Sequence, residues 1–267
     1  MAVALPPVPR PLGTINWVGL WTLYLKEIRR FGKVATQTVI APVITTLLFL
    51  AIFALALGGN SRQANGIPFS QFLAPGLIMM AIVQNAFVNT SSSILISKIQ
   101  GNIVDVLMPP LSAGELTLAF AAGGVTRGLV VGLAVAATMA LFVPIHIVDP
   151  GLIAFHALAA SLMLSLVGII AGIWAEKFDH MAAITNFVIT PFAFLSGTFY
   201  SVERLPQLWR VAAHFDPFFY MIDGFRAGFI GRADTSPYLG ATVLIGADLL
   251  LWILAYVLFR RGYRLKA

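Results

Sequence analysis

The sequence predicts an all-α integral membrane protein with six transmembrane helices, an N-terminal amphipathic interfacial helix, and short re-entrant outer helices between spans five and six. Three observations lead there. Of the 267 residues, 59% are hydrophobic and 10% charged, whereas a soluble domain carries about 25% charged residues. The apolar residues fall in runs as long as the ~20 residues a helix needs to cross a bilayer. The basic residues gather at the ends of those runs, so the net charge of +6 is read as a membrane-surface feature and not as a nucleic-acid footprint. With no cysteine in the chain, disulfides, thiolate metal sites and cysteine nucleophiles are excluded.

Taken in order, residues 1–12 hold four prolines and no apolar core, as a cytoplasmic N-terminus would and a cleavable signal would not. Trp17, Trp21, Tyr24, Ile28 and Phe31 then recur at spacings of four and three, with Lys26, Glu27, Arg29, Arg30 and Lys33 mostly between them, which predicts a helix lying flat in the membrane interface. The spans follow at 34–57, 69–96, 116–143, 151–175, 181–199 and 238–259. The second tolerates Pro75 and Gly76 as membrane helices do. The third is interrupted only by Arg127, and the sixth carries Asp248 near its middle. The chain thus divides into a cytoplasmic N-terminus with its interfacial helix (1–33), a transmembrane domain (34–259) and a basic cytoplasmic tail (260–267).

An even number of spans places both termini on one side, and the distribution of lysine and arginine selects the cytoplasm. That side would hold Arg10, Lys26, Arg29, Arg30, Lys33, Lys98, Lys177, Arg260, Arg261, Arg264 and Lys266, against Arg62, Arg204, Arg210, Arg226 and Arg232 outside. Between spans two and three, Ile99, Ile103 and Val106 form a short helical pattern that Pro109 and Pro110 end. Between spans five and six, residues 201–237 are too polar to cross yet hold Trp209, Phe215, Phe218, Phe219, Tyr220, Phe225 and Phe229, read as helices dipping into the outer leaflet, their aromatics anchoring at the interface or forming a substrate shelf.

Two stretches carry a resemblance. They are FLAPGLIMMAIVQNAFVNTSSSI with KIQGNIVDVLMPPLSAGE, at 72–94 and 98–115, and LSGTFYSVERLP with FDPFFYMIDGFR, at 195–206 and 215–226. They resemble the signature region of membrane subunits of type-2 ATP-binding-cassette (ABC) exporters, the permeases of the drug-resistance, nodulation-factor and O-antigen kind, and the likeness spans almost the whole chain. It implies a homodimeric exporter permease in a bacterial inner membrane, surrounded by lipid and driven by two copies of a separate nucleotide-binding ATPase subunit. It further implies a coupling helix on Gly101, Asn102, Ile103, Val104, Asp105, Val106, Leu107, Met108, Pro109 and Pro110. The N-terminal helix, with Glu27 and Arg30, joins the ATPase contact surface. ATP and magnesium would then sit on the partner, and the chain itself would bind no cofactor. Independently, no G-x-x-x-x-G-K-[ST] loop occurs, since Gly32-Lys33 is followed by Val34.

The remaining polar residues each admit more than one role. Arg127 and Asp248 both lie eleven residues from the cytoplasmic ends of their predicted spans, Leu116 and Phe259. They are expected to pair, within one subunit or across the dimer, or to face the substrate path, because intramembrane charges face partners or cavities. Gln84, Asn85 and Asn89 share a face of span two and either bond neighbouring helices or line the path; Phe199 and Tyr200 are the outer path candidates. Glu176 and Asp179, with His180, are expected to contact the ATPase rather than hold a metal. His146, His156 and His214 show no H-E-x-x-H spacing. An ATPase-independent channel or scaffold, and an intramembrane lipid-modifying enzyme, are the competing functions; the latter would need paired carboxylates or a His-Asp set at one interface. The substrate, a drug, lipid or glycan, has no recognisable motif.

Overall fold

The computed structural model describes residues 13–56, 63–64, 66–202 and 205–265. Arg10, Arg62, Arg204 and Lys266, used above for orientation, lie outside them. Among the described residues eleven α-helices carry the fold: α1 (Trp17–Gly32), α2 (Ala41–Ala56), α3 (Phe69–Ile99), α4 (Ile103–Leu107), α5 (Ala113–Met139), α6 (Pro150–Trp174), α7 (Phe178–Ile184), α8 (Thr190–Leu195), α9 (Gln207–His214), α10 (Pro217–Ile230) and α11 (Pro237–Arg261). A two-residue hairpin, β1 (Gln63–Ala64) with β2 (Ile67–Pro68), precedes α3. Six helical segments are long and apolar enough to span a membrane: Thr36–Phe53, Phe69–Ile99, Ala113–Met139, Pro150–Trp174, Phe178–Leu195 and Pro237–Arg261. They coincide with the six predicted runs.

Helix starts are written in the sequence. Ser112 and Glu115 form a capping box on α5, while Asp149 before Pro150 and Asp216 before Pro217 cap α6 and α10 through side-chain oxygens. Proline at the first helical position has no amide to leave unpaired, and the acidic cap meets the positive end of the helix.

The core is α3 held between α5 and α6. In lipid no hydrophobic force drives helices together, so association depends on close contact and hydrogen bonds. Small residues supply the contact. A Cβ on Gly128 would come within 2.8 Å of the Ile82 carbonyl oxygen, and one on Gly168 within 2.6 Å of the Phe87 carbonyl oxygen and against Thr90 Oγ1. Thr90 donates to the Ser165 carbonyl at 2.8 Å across that same approach. Phe72, Phe87 and Phe120 fill the spaces between, fully buried. By contrast α2 and the α7–α8 span present Ile44, Leu48, Phe187 and Phe194 outward.

Two expectations change in detail. Helix α3 runs on to Ile99, and Gly101, at φ +75°, turns the chain before α4 begins; Ile99 is therefore exposed while Ile103 and Val106 are buried. The second concerns the aromatics between spans five and six. Phe218, Phe219, Tyr220 and Phe225 are buried, because α10 packs into the bundle against α6, α11 and α3. Only the α9 side, with Trp209 and Phe215, is exposed as an interfacial anchor would be.

Gly168→Ala is expected to cost about 1–3 kcal/mol through overpacking, seen as a lower melting temperature in detergent. Gly246→Ala, whose Cβ would meet nothing within 4 Å, leaves the melting temperature unchanged or slightly raised.

Candidate functional site

The site has two parts, a ridge at the α4 end of the bundle and a groove along its side. At the ridge, Asn16 caps α1 by accepting from the Gly19 amide at 2.9 Å, donates its own amide to Glu115, and reaches the Pro110 carbonyl through Nδ2 at 3.3 Å. The start of α1 is thereby fixed to the turn between α4 and α5. A cleft of about 400 Å³ opens between Gly19, Thr22, Leu23 and Lys26 of α1 and Asn102, Asp105, Val106, Pro109 and Leu111 around α4. On α4 itself Ile103 and Val106 point inward, leaving Val104, Asp105 and Met108 exposed, with Gly101, Asn102, Pro109 and Pro110 also exposed and Leu107 half-buried.

The predicted apolar stripe of α1 does not all face one way. Leu23, Glu27 and Phe31 are buried and α1 packs lengthwise on α5, while Trp17 and Trp21 face out. Glu27, expected at a partner surface, is fully buried. It accepts from Ser93 Oγ at 2.7 Å and pairs with Arg30 at 3.3 Å. Arg30 in turn donates to the Asn89 carbonyl and, at 2.9 Å, to Asn89 Oδ1. Gly123 permits this approach, since a Cβ there would meet Glu27. Glu27 and Arg30 therefore bind α1 to α3, and the sequence pattern hid this because it treats every charge on an amphipathic helix as solvated.

Glu176 and Asp179 are exposed next to the end of α6, with Glu176 3.5 Å from Arg264. Lys98 of α3 caps that helix end, donating to the carbonyls of Gly172, Ile173 and, at 2.7 Å, Ala175, where a cation meets the negative pole of the helix. Among the described residues no group of three His, Asp or Glu is placed to hold a metal ion.

The groove, about 670 Å³, lies between spans one, two, three and five and is lined by Gln37, Thr38, Pro42, Thr45, Phe49, Leu77, Met80, Gln84, Asn85, Arg127, Thr190, Phe194 and Phe199, among others. Its shape follows from Pro42 and Pro191. Each lacks the amide that would continue the helix ladder, and each follows a π-helical turn, Thr36–Ile40 and Thr185–Ile189. These prolines and turns shape the candidate site, and a proline inside a predicted span is the sequence signal for them.

Of the path candidates, Gln84, Asn85, Arg127 and Phe199 meet in the groove. Asn89 lies deeper, one turn along α3, on Arg30. Phe199 stacks on Phe53 at 4.7 Å and on Phe194 at 5.2 Å, closing one end. Tyr200 turns away, donating to the Phe194 carbonyl at 3.0 Å. Asp248 is elsewhere, on the buried stripe of α11 with Gly240, Leu244 and Ala255. No ion pair among the described residues joins it to Arg127, whose Nη2 donates instead to Asn85 Oδ1 at 3.2 Å. Equal depth in two helices does not put two side chains on facing sides.

Arg226, counted above as an outer basic residue, is buried. Its guanidinium lies 3.9 Å from the Phe72 ring centre and donates to the Gly197 carbonyl at 2.8 Å, holding the turn that carries Phe199. Nearby, Asp223 accepts from the amides of Asp234 and Thr235 at 2.7 and 2.9 Å; burial pushes its carboxyl up, and those donors offset part of the effect.

Removing one partner of a buried ion pair costs about 3–5 kcal/mol, so Glu27→Ala should sharply lower the melting temperature. Glu27→Gln, which still accepts from Ser93, should lose less. Equal losses would show that the network does not hold α1.

The sequence profile described as ABC-2 type transporter matches residues 18–230. The Inner membrane transport permease YadH of Escherichia coli strain K12 is 36% identical over 253 residues, covering 95% of this chain and 99% of that protein. Nodulation protein J of Rhizobium leguminosarum bv. viciae is 23% identical over 254 residues, covering 94% and 96%. With a match over most of the chain and six apolar helices of spanning length among the described residues, the chain is a multi-pass membrane permease and belongs to the ABC-2 type transporter family.

Proposed function

We propose that the chain is the permease subunit of an ATP-driven exporter of the inner membrane, acting as a homodimer with two copies of a separate ATPase subunit. Both termini and the ridge then face the cytoplasm, ATP and magnesium are held by the partner, and the chain moves its substrate without chemically altering it. The observation that carries this reading is the cleft between α1 and α4. A short helix with Val104, Asp105 and Met108 exposed beside an apolar cleft is a surface built for a protein partner. It is anchored by Asn16 and Glu115 to α5, so a force applied there enters the bundle. Glu176 and Asp179 add a second exposed contact.

The outward apolar faces of α2 and α7–α8 support a second copy and lipid as their neighbours, since large apolar surfaces left by a fold mark membrane or subunit contacts. A channel or scaffold would not need the ridge. A lipid-modifying enzyme would need paired acid and base groups, and among the described residues the groove presents one arginine and no carboxylate. The substrate class, a drug, lipid or glycan, is narrowed below.

Purification in mild detergent should recover a P-loop ATPase in equal amount. Asp105→Lys combined with Met108→Glu should abolish that recovery while leaving the elution position and melting temperature of the permease unchanged. Permease that is homogeneous and ATPase-free in several detergents would overturn the proposal.

A further inference from the structure

The groove carries a charge that no acid in its wall balances. Arg127 sits halfway along α5 and contacts the neutral Asn85, while its Nε is buried without a hydrogen-bond partner. Among the described residues no aspartate or glutamate lines the groove. Glu27, on the neighbouring α1, is already held by Arg30 and Ser93. A guanidinium inside the membrane is costly unless something pairs with it, and a buried donor left unmade adds to that cost. The fold therefore stabilises an arrangement that an incoming anion would complete.

The rest of the wall limits what the anion is attached to. Phe49, Leu77, Met80, Phe194 and Phe199 form an apolar surface continuous with the Arg127 end, where Gln84 and Asn85 add amide groups. The volume, about 670 Å³, lies within the ~300–1,000 Å³ of small-molecule sites. A bare inorganic anion would leave the apolar wall wet, a neutral hydrophobe would leave Arg127 unmatched, and a cation would be repelled.

We propose that this groove binds an acidic amphiphile, its phosphate or carboxylate taken by the Arg127 guanidinium with help from Gln84 and Asn85, and its apolar tail laid along Phe49, Met80, Phe194 and Phe199. The assignment rests on the reading of the groove as the transport path and names the class of substrate it takes. An arginine suits the task because its planar fork grips an oxyanion with two parallel hydrogen bonds.

The test uses the full chain in phosphatidylcholine nanodiscs, titrated with dansylaminoundecanoic acid and with its methyl ester, which differ only in charge. The acid should bind about tenfold more tightly than the ester, a difference of ~1.4 kcal/mol. Arg127→Gln should bring the acid down to the level of the ester without weakening the ester, and Arg127→Lys should keep most of the preference. Phe194→Ala should weaken both probes alike. Equal binding of acid and ester to the unaltered protein overturns the proposal whether or not any variant folds, and so does a preference that survives in Arg127→Gln. Repeating the titration in discs containing phosphatidylglycerol separates the sources. Displacement of the acid assigns the site to bulk acidic lipid, and undiminished binding assigns it to a distinct acidic amphiphile. Both outcomes keep the anion at Arg127. No ATPase or nucleotide enters the assay, so loss of the acid preference counts against the substrate class alone, and failure to recover an ATPase counts against the permease reading alone.

Discussion

The close approach of α3 to α5 and α6 is the constraint on which the rest depends. Water is absent from the middle of a bilayer, so burying apolar surface between helices gains little there, and contact distance decides which helices associate. Gly128 against the Ile82 carbonyl and Gly168 against the Phe87 carbonyl bring the backbones as near as they can come, and the Thr90 hydroxyl bonded to the Ser165 carbonyl fixes the register. Three helices locked this way form a rigid post. Everything with a functional role is placed by its relation to that post: α4 by the Gly101 turn at its end, Arg127 by α5, and Phe199 by Arg226 reaching from α10 to the Gly197 carbonyl.

Spans one and five are the complement of this post. Pro42 and Pro191 interrupt the helix ladder, π turns absorb the interruption, and the side chains nearby are threonine, glutamine and phenylalanine rather than glycine and serine. Such helices cannot pack as tightly, so they stand off and leave the groove. The division into a close-packed half and a loosely packed half separates the scaffold from the groove. It follows where glycine lets backbones approach and where a proline comes after a π turn, since Pro75 without such a turn leaves α3 close-packed.

Much of this was legible in the sequence. Six apolar runs, four free of charge and two holding a single charged residue, are long enough only for membrane helices, and the bilayer leaves the backbone no other way to satisfy its hydrogen bonds; the spans therefore fall where the runs do. The α4 helix and its proline stop were legible for the same reason, since both are local. What was not legible is partnership between distant elements. Glu27 reads as one more charge on an amphipathic helix, and only the presence of Ser93 and Gly123 opposite makes it a buried one. Arg226 reads as a loop residue because α10 is flanked by polar segments, yet burial of the whole helix takes it inside. Arg127 and Asp248 share a depth, which a sequence gives through residue counts, but not an azimuth, which depends on how each helix is rotated against its neighbours.

The polar residues of α3 connect the two parts of the site. Asn89 and Asn85 are one helical turn apart on the same face. Asn89 receives Arg30 of α1, and Asn85 receives Arg127 at the groove. Tyr24 of α1 and Thr126, the neighbour of Arg127 in sequence, are joined at 3.0 Å. Helix α1 thus hydrogen-bonds both Asn89, one turn along α3 from Asn85, and Thr126, the residue before Arg127. Its own start is fixed to the ridge by Asn16. Because Glu27 is buried and charged, α1 cannot slide along α5 by part of a turn without leaving an unpaired charge in an apolar setting, which is far costlier than moving α1, α4 and the start of α5 together. The burial of that one carboxylate ties the ridge and the groove to the same helix, so that on the proposed reading a partner pushing on α4 would move the surroundings of Arg127 as well.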